Sequence, residues 1–286
     1  MSSTIWLEVI MDCPPTESGL LELWLEQLGF RGWVDESTDE ITSYRVYLPQ
    51  ELGWEERLHQ LESAAQAASG VVRTGEQLQD EDWAENWKKF YHPLEVGNNL
   101  VICPSWEKFE AKPKQIVMVL DPGSAFGTGY HWSTRLCLEF VEETVVGRPA
   151  ERMKVLDWGT GSGILAIAAW LLGVRNIQAI DNDPVAVKVA NENFELNGLT
   201  VKAELSDKAP ASGYDLISAN LIASTLIELA PQIVASLRAG GTLIAGGIID
   251  TRKEEVTLAL QAAGLKLGDS HLREEWVALK MHLPLR

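Results

Sequence analysis

Cysteine is scarce in this chain, and the three that occur, Cys13, Cys103 and Cys137, are odd in number and far apart. That excludes the disulfide framework of a small secreted domain and any C-x-x-C metal site. The five histidines form no H-E-x-x-H or His-Cys cluster, so no bound metal is expected. Long apolar runs are missing too. No stretch of about 18 uninterrupted apolar residues occurs, so no membrane span is expected. The opening MSSTIWLEVIMDCPP lacks a basic leader and carries acids early, which points to a cytoplasmic protein and not a secreted one. Basic residues are in short supply, with 24 Lys and Arg against 41 Asp and Glu and a net charge of -17. The first 90 residues hold 18 acids and 6 bases. Such a front half repels a phosphate backbone and attracts a cationic partner, so direct nucleic-acid binding is not expected. The same surplus also favours solubility, and charge alone names no partner.

What is present describes a globular chain. At 46% apolar and 286 residues it has room for two domains. Apolar spacing predicts a strand over 5–10, a helix over 18–28, strands over 32–36 and 44–48, a helix over 54–68 and a strand over 71–74. Leu20, Leu21, Leu23, Trp24 and Leu28 are expected to form one helical stripe, and Leu58, Leu61, Ala64, Ala65 and Ala68 another. The order βαββαβ is that of a ferredoxin-like α+β unit. It holds no glycine loop, nucleophile or titratable cluster, and reads as a recognition module. Next comes QLQDEDWAENWKKF, whose Trp83 and Trp87 would share one face of a connecting helix. The expected division is therefore a recognition domain over 1–77, a linker helix over 78–92 and a second domain over 93–286.

The second domain alternates. After strand signals at 100–106 and 115–121 and the loop PGSAFGTG come a helix over 131–144, a strand over 154–157 and a helix over 164–172. Strands over 177–180, 201–205, 214–218 and 242–246 follow, interleaved with helices over 184–197, 221–237 and 252–263, and a strand closes the chain near 276–281. This pattern predicts an α/β fold, a mainly parallel sheet covered on both faces. The stretch VLDWGTGSG at 155–163 runs from strand through a glycine-rich turn into a helix, which lets backbone N–H groups and the helix N-terminus approach a polar ligand. Ile164 stands where a dinucleotide loop has its third glycine, so the spacing is G-x-G-x-G and favours S-adenosylmethionine over a nicotinamide cofactor.

Ligands of open α/β sheets sit beyond the carboxyl ends of the strands. Gly159, Gly161 and Gly163 fall there, as do Asp181 in QAIDNDP and Asn220 in DLISAN; Thr134 opens the helix after PGSAFGTG. A carboxylate at 181 can accept from both hydroxyls of a ribose. Each residue has a plainer reading: a tight turn for the glycines, a helix cap for Asp181 or Asn220, an ordinary helix position for Thr134. Asp157 fits a loop-orienting role better than a ligand contact. The ordered set is more specific than any of its parts.

At these residues the chain resembles the class I, Rossmann-like S-adenosylmethionine methyltransferases. LDPGSAFGTGYHWST, DWAENWKKFYHP, ICPSW and SANLIA narrow the resemblance to the bacterial enzymes that methylate large-subunit ribosomal protein L11. The resemblance implies S-adenosylmethionine as cofactor, held by Thr134, Gly159, Gly161, Asp181 and Asn220. It implies Asn220 and Phe126 as the catalytic residues beside the methyl group, an N-terminal domain that grips the substrate protein, and lysine and N-terminal amines as acceptors. Two departures stand out: WST at 132–134 is poorer in threonine than the family's pattern, and Trp158 is bulkier than its usual aliphatic residue. The core motifs alone leave a small-molecule or nucleic-acid methyltransferase of the same fold open, although no N-P-P-Y-type tetrad follows Ser218.

Overall fold

A computed structural model describes residues 5–28, 30, 33–38, 40–50, 53–79, 91–121, 127–209 and 211–285. The chain divides into two compact units, Met1–Tyr91 and His92–Arg286.

In the first unit, β1 (Ile5–Cys13), α1 (Ser18–Gln27), β2 (Val34–Asp35), β3 (Thr42–Pro49), α2 (Trp54–Ala67) and β4 (Val71–Gln79) follow in the order βαββαβ. The sheet order is β2-β3-β1-β4 with every pair antiparallel. Strand alternation puts Leu7, Val9, Met11 and Cys13 on one face with Tyr44, Val46 and Leu48, where they bury Leu21, Leu25, Leu61, Ala64 and Ala65 of the two helices. On α1 it is Leu21 and Leu25 that are sealed, whereas Leu20 and Trp24 stay more than a third exposed. The opposite face is polar: Asp12 accepts from Ser43 Oγ at 2.7 Å and Arg73 Nε at 2.7 Å, and Arg45 pairs with Glu8 at 2.9 Å. The boundary expected after residue 77 falls inside β4. The linker helix expected over 78–92 lies mostly outside the described residues, with Trp83 and Trp87.

The second unit opens with a small sheet, β5 (Leu94–Val96), β6 (Leu100–Pro104) and β7 (Ile116–Leu120), in that order. It continues with α3 (Trp132–Val145), β8 (Lys154–Trp158), α4 (Ile164–Leu171), β9 (Asn176–Asp181), α5 (Pro184–Leu196), β10 (Ala203–Leu205), β11 (Tyr214–Asn220), α6 (Ala223–Ser236), β12 (Leu237–Ile249), α7 (Lys253–Ala262), β13 (Lys266–Arg273) and β14 (Trp276–His282). The large sheet has order β10-β9-β8-β11-β12-β14-β13. Its first five strands are parallel neighbours, and β14 runs antiparallel to β12 and β13. Strand order reverses between β8 and β11, which opens a crevice at their carboxyl ends.

Alternation along the strands feeds two cores. Val155, Leu216, Ile244 and Ala278 face α3 and α4 on one side; Leu156, Ile217, Leu243 and Leu279 face α6 and α7 on the other. Trp158 is buried in the second core with Ile180 and Tyr214, so its bulk packs the sheet.

Glu142, buried on α3, joins the small sheet to the large domain. Its carboxylate accepts from Asn98 N at 2.7 Å, Asn99 N at 2.9 Å and Asn99 Nδ2 at 2.9 Å, at the β5–β6 turn. Glu142→Ala would strand those donors, at a cost of about 2–3 kcal/mol. Thermal melting of the variant should fall by several degrees; an unchanged midpoint would contradict this reading of the turn.

Candidate functional site

The glycine turn between β8 and α4 is shaped by two carboxylates. Asp157, fully buried near the end of β8, accepts from Thr160 Oγ1 at 2.7 Å, Ser218 Oγ at 2.8 Å and Ala166 N at 3.3 Å. It orients the turn. Asp181, last in β9, accepts from Gly161 N through Oδ2 at 2.9 Å and from Asp183 N through Oδ1 at 3.0 Å. A carboxylate has about four acceptor positions. Those two bonds leave capacity on both oxygens for donors beyond the strand ends. The cap of α5 is Asp183, whose side chain accepts from Val185 N at 2.8 Å, so Asp181 is not needed for capping.

The turn's own amides are largely taken. Gly159 N and Thr160 N both donate to Ile180 O at 2.9 Å, Gly161 N to Asp181, and Gly163 N to Thr160 O at 2.8 Å. At Gly159, Thr160, Gly161 and Gly163 the loop therefore offers close approach more than free N–H groups. Gly159, Gly161 and Gly163 all adopt positive φ, at 72°, 55° and 85°. A side chain at 159 would strike Leu221, and one at 163 would strike Phe194.

Across the crevice, Asn220 ends β11, two residues before Ile222 caps α6, so the helix begins at Ala223 and not at 221. Asn220 Nδ2 donates to Thr134 Oγ1 at 3.1 Å, joining two residues that are 86 positions apart. Its other amide atom, Oδ1, is buried and has no partner among the described residues. Buried acceptors are rarely left unpaired, so this one points to a ligand donor. Thr134 is fully buried in the first turn of α3. That turn is capped by His131 Nδ1, 3.2 Å from Ser133 N and 2.7 Å from Ser133 Oγ. Burial lowers the His131 pKa, which favours the neutral ring a cap acceptor requires. Ser133 thus uses its hydroxyl at the cap. Phe126 lies outside the described residues.

Asn193 on α5 and Asn197, the residue that caps its C-terminus one turn later, do structural work that sequence reasoning missed. Asn197 Nδ2 donates to Val119 O at 2.6 Å, and its Oδ1 accepts from Val119 N at 2.9 Å. Asn193 does the same for Asp121, with bonds of 3.1 and 2.8 Å. Two side-chain amides thereby stand in for a neighbouring strand along the edge of β7. The i, i+4 spacing of the asparagines in NENFELN was the available signal.

A cavity of about 500 Å³ lined by Val234, Leu237, Gly264, Leu283 and Leu285 sits at the amino end of β12, opposite the crevice, and holds no titratable group. Among the described residues, Glu143, Asp269 and His271 bring ligand-type atoms within 4.8 Å of one another, but Lys280 Nζ already occupies Glu143 at 2.7 Å. No described helix is long and apolar enough to cross a membrane.

Comparison with known proteins decides the family. The profile of Ribosomal protein L11 methyltransferase (PrmA) matches residues 25–284. The chain belongs to the ribosomal protein L11 methyltransferase family. A relative of that name from Chloroflexus aurantiacus is 38% identical over 99% of this chain and 100% of its own length. Another, from Pelobacter propionicus, is 38% identical over 97% of each. The crystal structure of a ribosomal protein L11 methylase from Lactobacillus delbrueckii subsp. bulgaricus superposes with a TM-score of 0.63 at 31% identity, covering 68% of this chain and 100% of that one. This family member is thus a class I, S-adenosylmethionine-dependent protein methyltransferase. The residues fit that cofactor: an unpaired buried acceptor at Asn220, spare carboxylate capacity at Asp181, and a turn in which glycine keeps the approach open.

Burial pushes the Asp157 carboxyl up to about 6, against the lowering effect of its hydrogen bonds from Thr160, Ser218 and Ala166. The folded pKa lies above the unfolded one, so the native state binds the extra proton between about pH 4 and 6. Stability contributed at this site is therefore greatest at low pH, falls as pH rises through that window and is flat above it. Asp157→Asn, which cannot titrate, should gain on wild type by roughly 3 kcal/mol across the same window. Melting temperatures of both proteins from pH 4 to 8 test this, and parallel curves would refute it.

Proposed function

We propose that this methyltransferase N-methylates lysine side chains and the N-terminal amine of ribosomal protein L11 in the cytoplasm. The observation that carries the catalytic reading is the joined pair Thr134 and Asn220, with Asn220 Oδ1 unpaired where β11 meets the crevice. The substrate reading rests on the relatives' names and on an acidic front half suited to a basic ribosomal protein.

In this reading Thr134, Gly159, Gly161, Asp181 and Asn220 contact the cofactor, with the ribose hydroxyls on Asp181. When bound, S-adenosylmethionine supplies a methyl group already activated by its sulfonium. What remains for the protein is alignment and release of a proton. A free lysine amine, with a pKa of about 10.4, is mostly protonated at neutral pH. Enclosure in the crevice disfavours the charged form and raises the neutral fraction. Asn220 Oδ1 then accepts one amine N–H and directs the lone pair. An amide oxygen orients but does not take the proton, which leaves to water. Phe126, outside the described residues, keeps the catalytic role that the family resemblance implies for it.

Residues 1–77 are assigned substrate recognition, with residues 78–92 as the connection. Labelled cofactor incubated with purified L11 should mark its amines, and mass spectrometry should place the label on lysine and the N-terminus. Residues 92–286 alone should bind S-adenosylhomocysteine and transfer no label to L11. Absence of label with the full chain would overturn the substrate, and full activity of the shortened protein would overturn the recognition role.

A further inference from the structure

Thr134 reaches the crevice from the first turn of α3, and that turn is anchored by a titratable side chain. His131 stands at the N-cap, where its Nδ1 accepts from Ser133 N at 3.2 Å and lies 2.7 Å from Ser133 Oγ. Its carbonyl completes the cap, accepting from Thr134 N at 3.1 Å and from Arg135 N at 3.2 Å. A ring nitrogen accepts only while it carries no proton, so the cap requires the neutral tautomer protonated at Nε2. A proton on Nδ1 would turn the acceptor into a donor facing Ser133 N–H. It would also put positive charge at the positive end of the helix dipole. Trp276 covers one side of the imidazole, edge to face, with ring centroids 4.4 Å apart. Two charged groups face the ring: Glu274 on the turn between β13 and β14, and Arg135 one turn along α3. Burial favours the neutral ring most; Glu274 opposes it and Arg135 supports it.

We infer that neutral His131 is a positioning residue that holds Thr134 against Asn220, so that acid loosens the cofactor site by removing its cap. This rests on the proposed reading, in which Thr134 and Asn220 contact the cofactor. Asn220 Nδ2 donates to Thr134 Oγ1 at 3.1 Å, and that geometry depends on the first turn of α3 keeping its place. His131 itself needs to touch neither cofactor nor substrate. The turn competent to bind cofactor excludes the proton, so affinity should fall as pH falls. Two ordinary alternatives make different forecasts. A histidine that only packs would move melting temperature and leave the pH dependence of binding unchanged. A histidine acting as general base for the acceptor amine could not be replaced by asparagine at any pH.

The experiment compares the full-length wild type with His131→Asn, whose amide oxygen caps a helix without titrating, and with His131→Ala, which has no cap acceptor. Calorimetry with S-adenosylhomocysteine from about pH 5.2 to about pH 8 gives affinity, and methyl transfer to L11 at about pH 8 gives kcat. Hydrogen exchange reports protection at the amides of Ser133, Thr134 and Arg135 without any ligand. Asp157, raised to about 6, titrates in all three proteins, so its effect cancels in the comparison. Across that range wild type should lose at least threefold more affinity than His131→Asn, and protection at the three amides should drop in wild type alone. At about pH 8, His131→Asn should restore the affinity and kcat lost in His131→Ala to within twofold of wild type. Parallel pH dependence in wild type and the asparagine variant, or no rescue by asparagine, would overturn the inference. If wild type binds no S-adenosylhomocysteine, the proposed site fails, and the exchange comparison still decides whether His131 governs the turn.

Discussion

A carboxylate sealed beneath the carboxyl end of β8 is the constraint on which the site depends. Asp157 cannot be solvated, so it draws Thr160, Ser218 and Ala166 around it. Those three partners belong to the glycine turn, the adjacent strand β11 and the helix that follows. A single buried charge therefore fixes the turn against the strand that delivers Asn220. Burial raises its pKa to about 6, so the arrangement is held at a cost in stability above that pH. The apolar cores on the two sheet faces supply the stability that such a group consumes.

Around that centre the polar work is divided among side chains from separate strands. Asp181 braces the turn with one bond from each oxygen and keeps acceptor capacity in reserve. Asn220 commits its NH2 to Thr134 and leaves its oxygen unpaired. Asn193 of α5 and its C-cap Asn197 pair with the backbone of Asp121 and Val119 at the carboxyl end of β7 and leave the ends of β8, β9 and β11 free of that task. Preorganisation of this kind suits a reaction in which the transferred group arrives already activated and geometry is the main requirement.

Much of this was legible in the sequence because it is local or periodic. The strand–turn–helix of VLDWGTGSG, the strand-end positions of Asp181 and Asn220, and the βαββαβ order of the first unit all leave marks within a few residues. What was not legible depends on partners distant in the chain. β13 was missed because KLGDSHLR is mostly exposed and shows no apolar alternation; it forms by pairing with β14. β5 has three residues, too short for a pattern. Helical spacing extends α6 two residues too far toward its N-terminus, because the apolar Leu221 and Ile222 continue it while the backbone at Ile222 is still extended. Apolar spacing on α1 takes in the exposed Leu20 and Trp24, since spacing does not say which edge the sheet covers. The bonds from the turn to Ile180 and Asp181, and those of Asn193 and Asn197 to Asp121 and Val119, span 20 to 78 residues, and no short window of sequence contains both partners.

We propose that the crevice at the carboxyl ends of β8, β9 and β11 holds the cofactor through the acceptor capacity left on Asp181. Calorimetric titration of wild type and Asp181→Ala with S-adenosylhomocysteine tests it most directly. Affinity should be at least tenfold weaker in the variant, about 1.4 kcal/mol or more, with melting temperature lowered by only a few degrees. Equal affinity in the two folded proteins would contradict it.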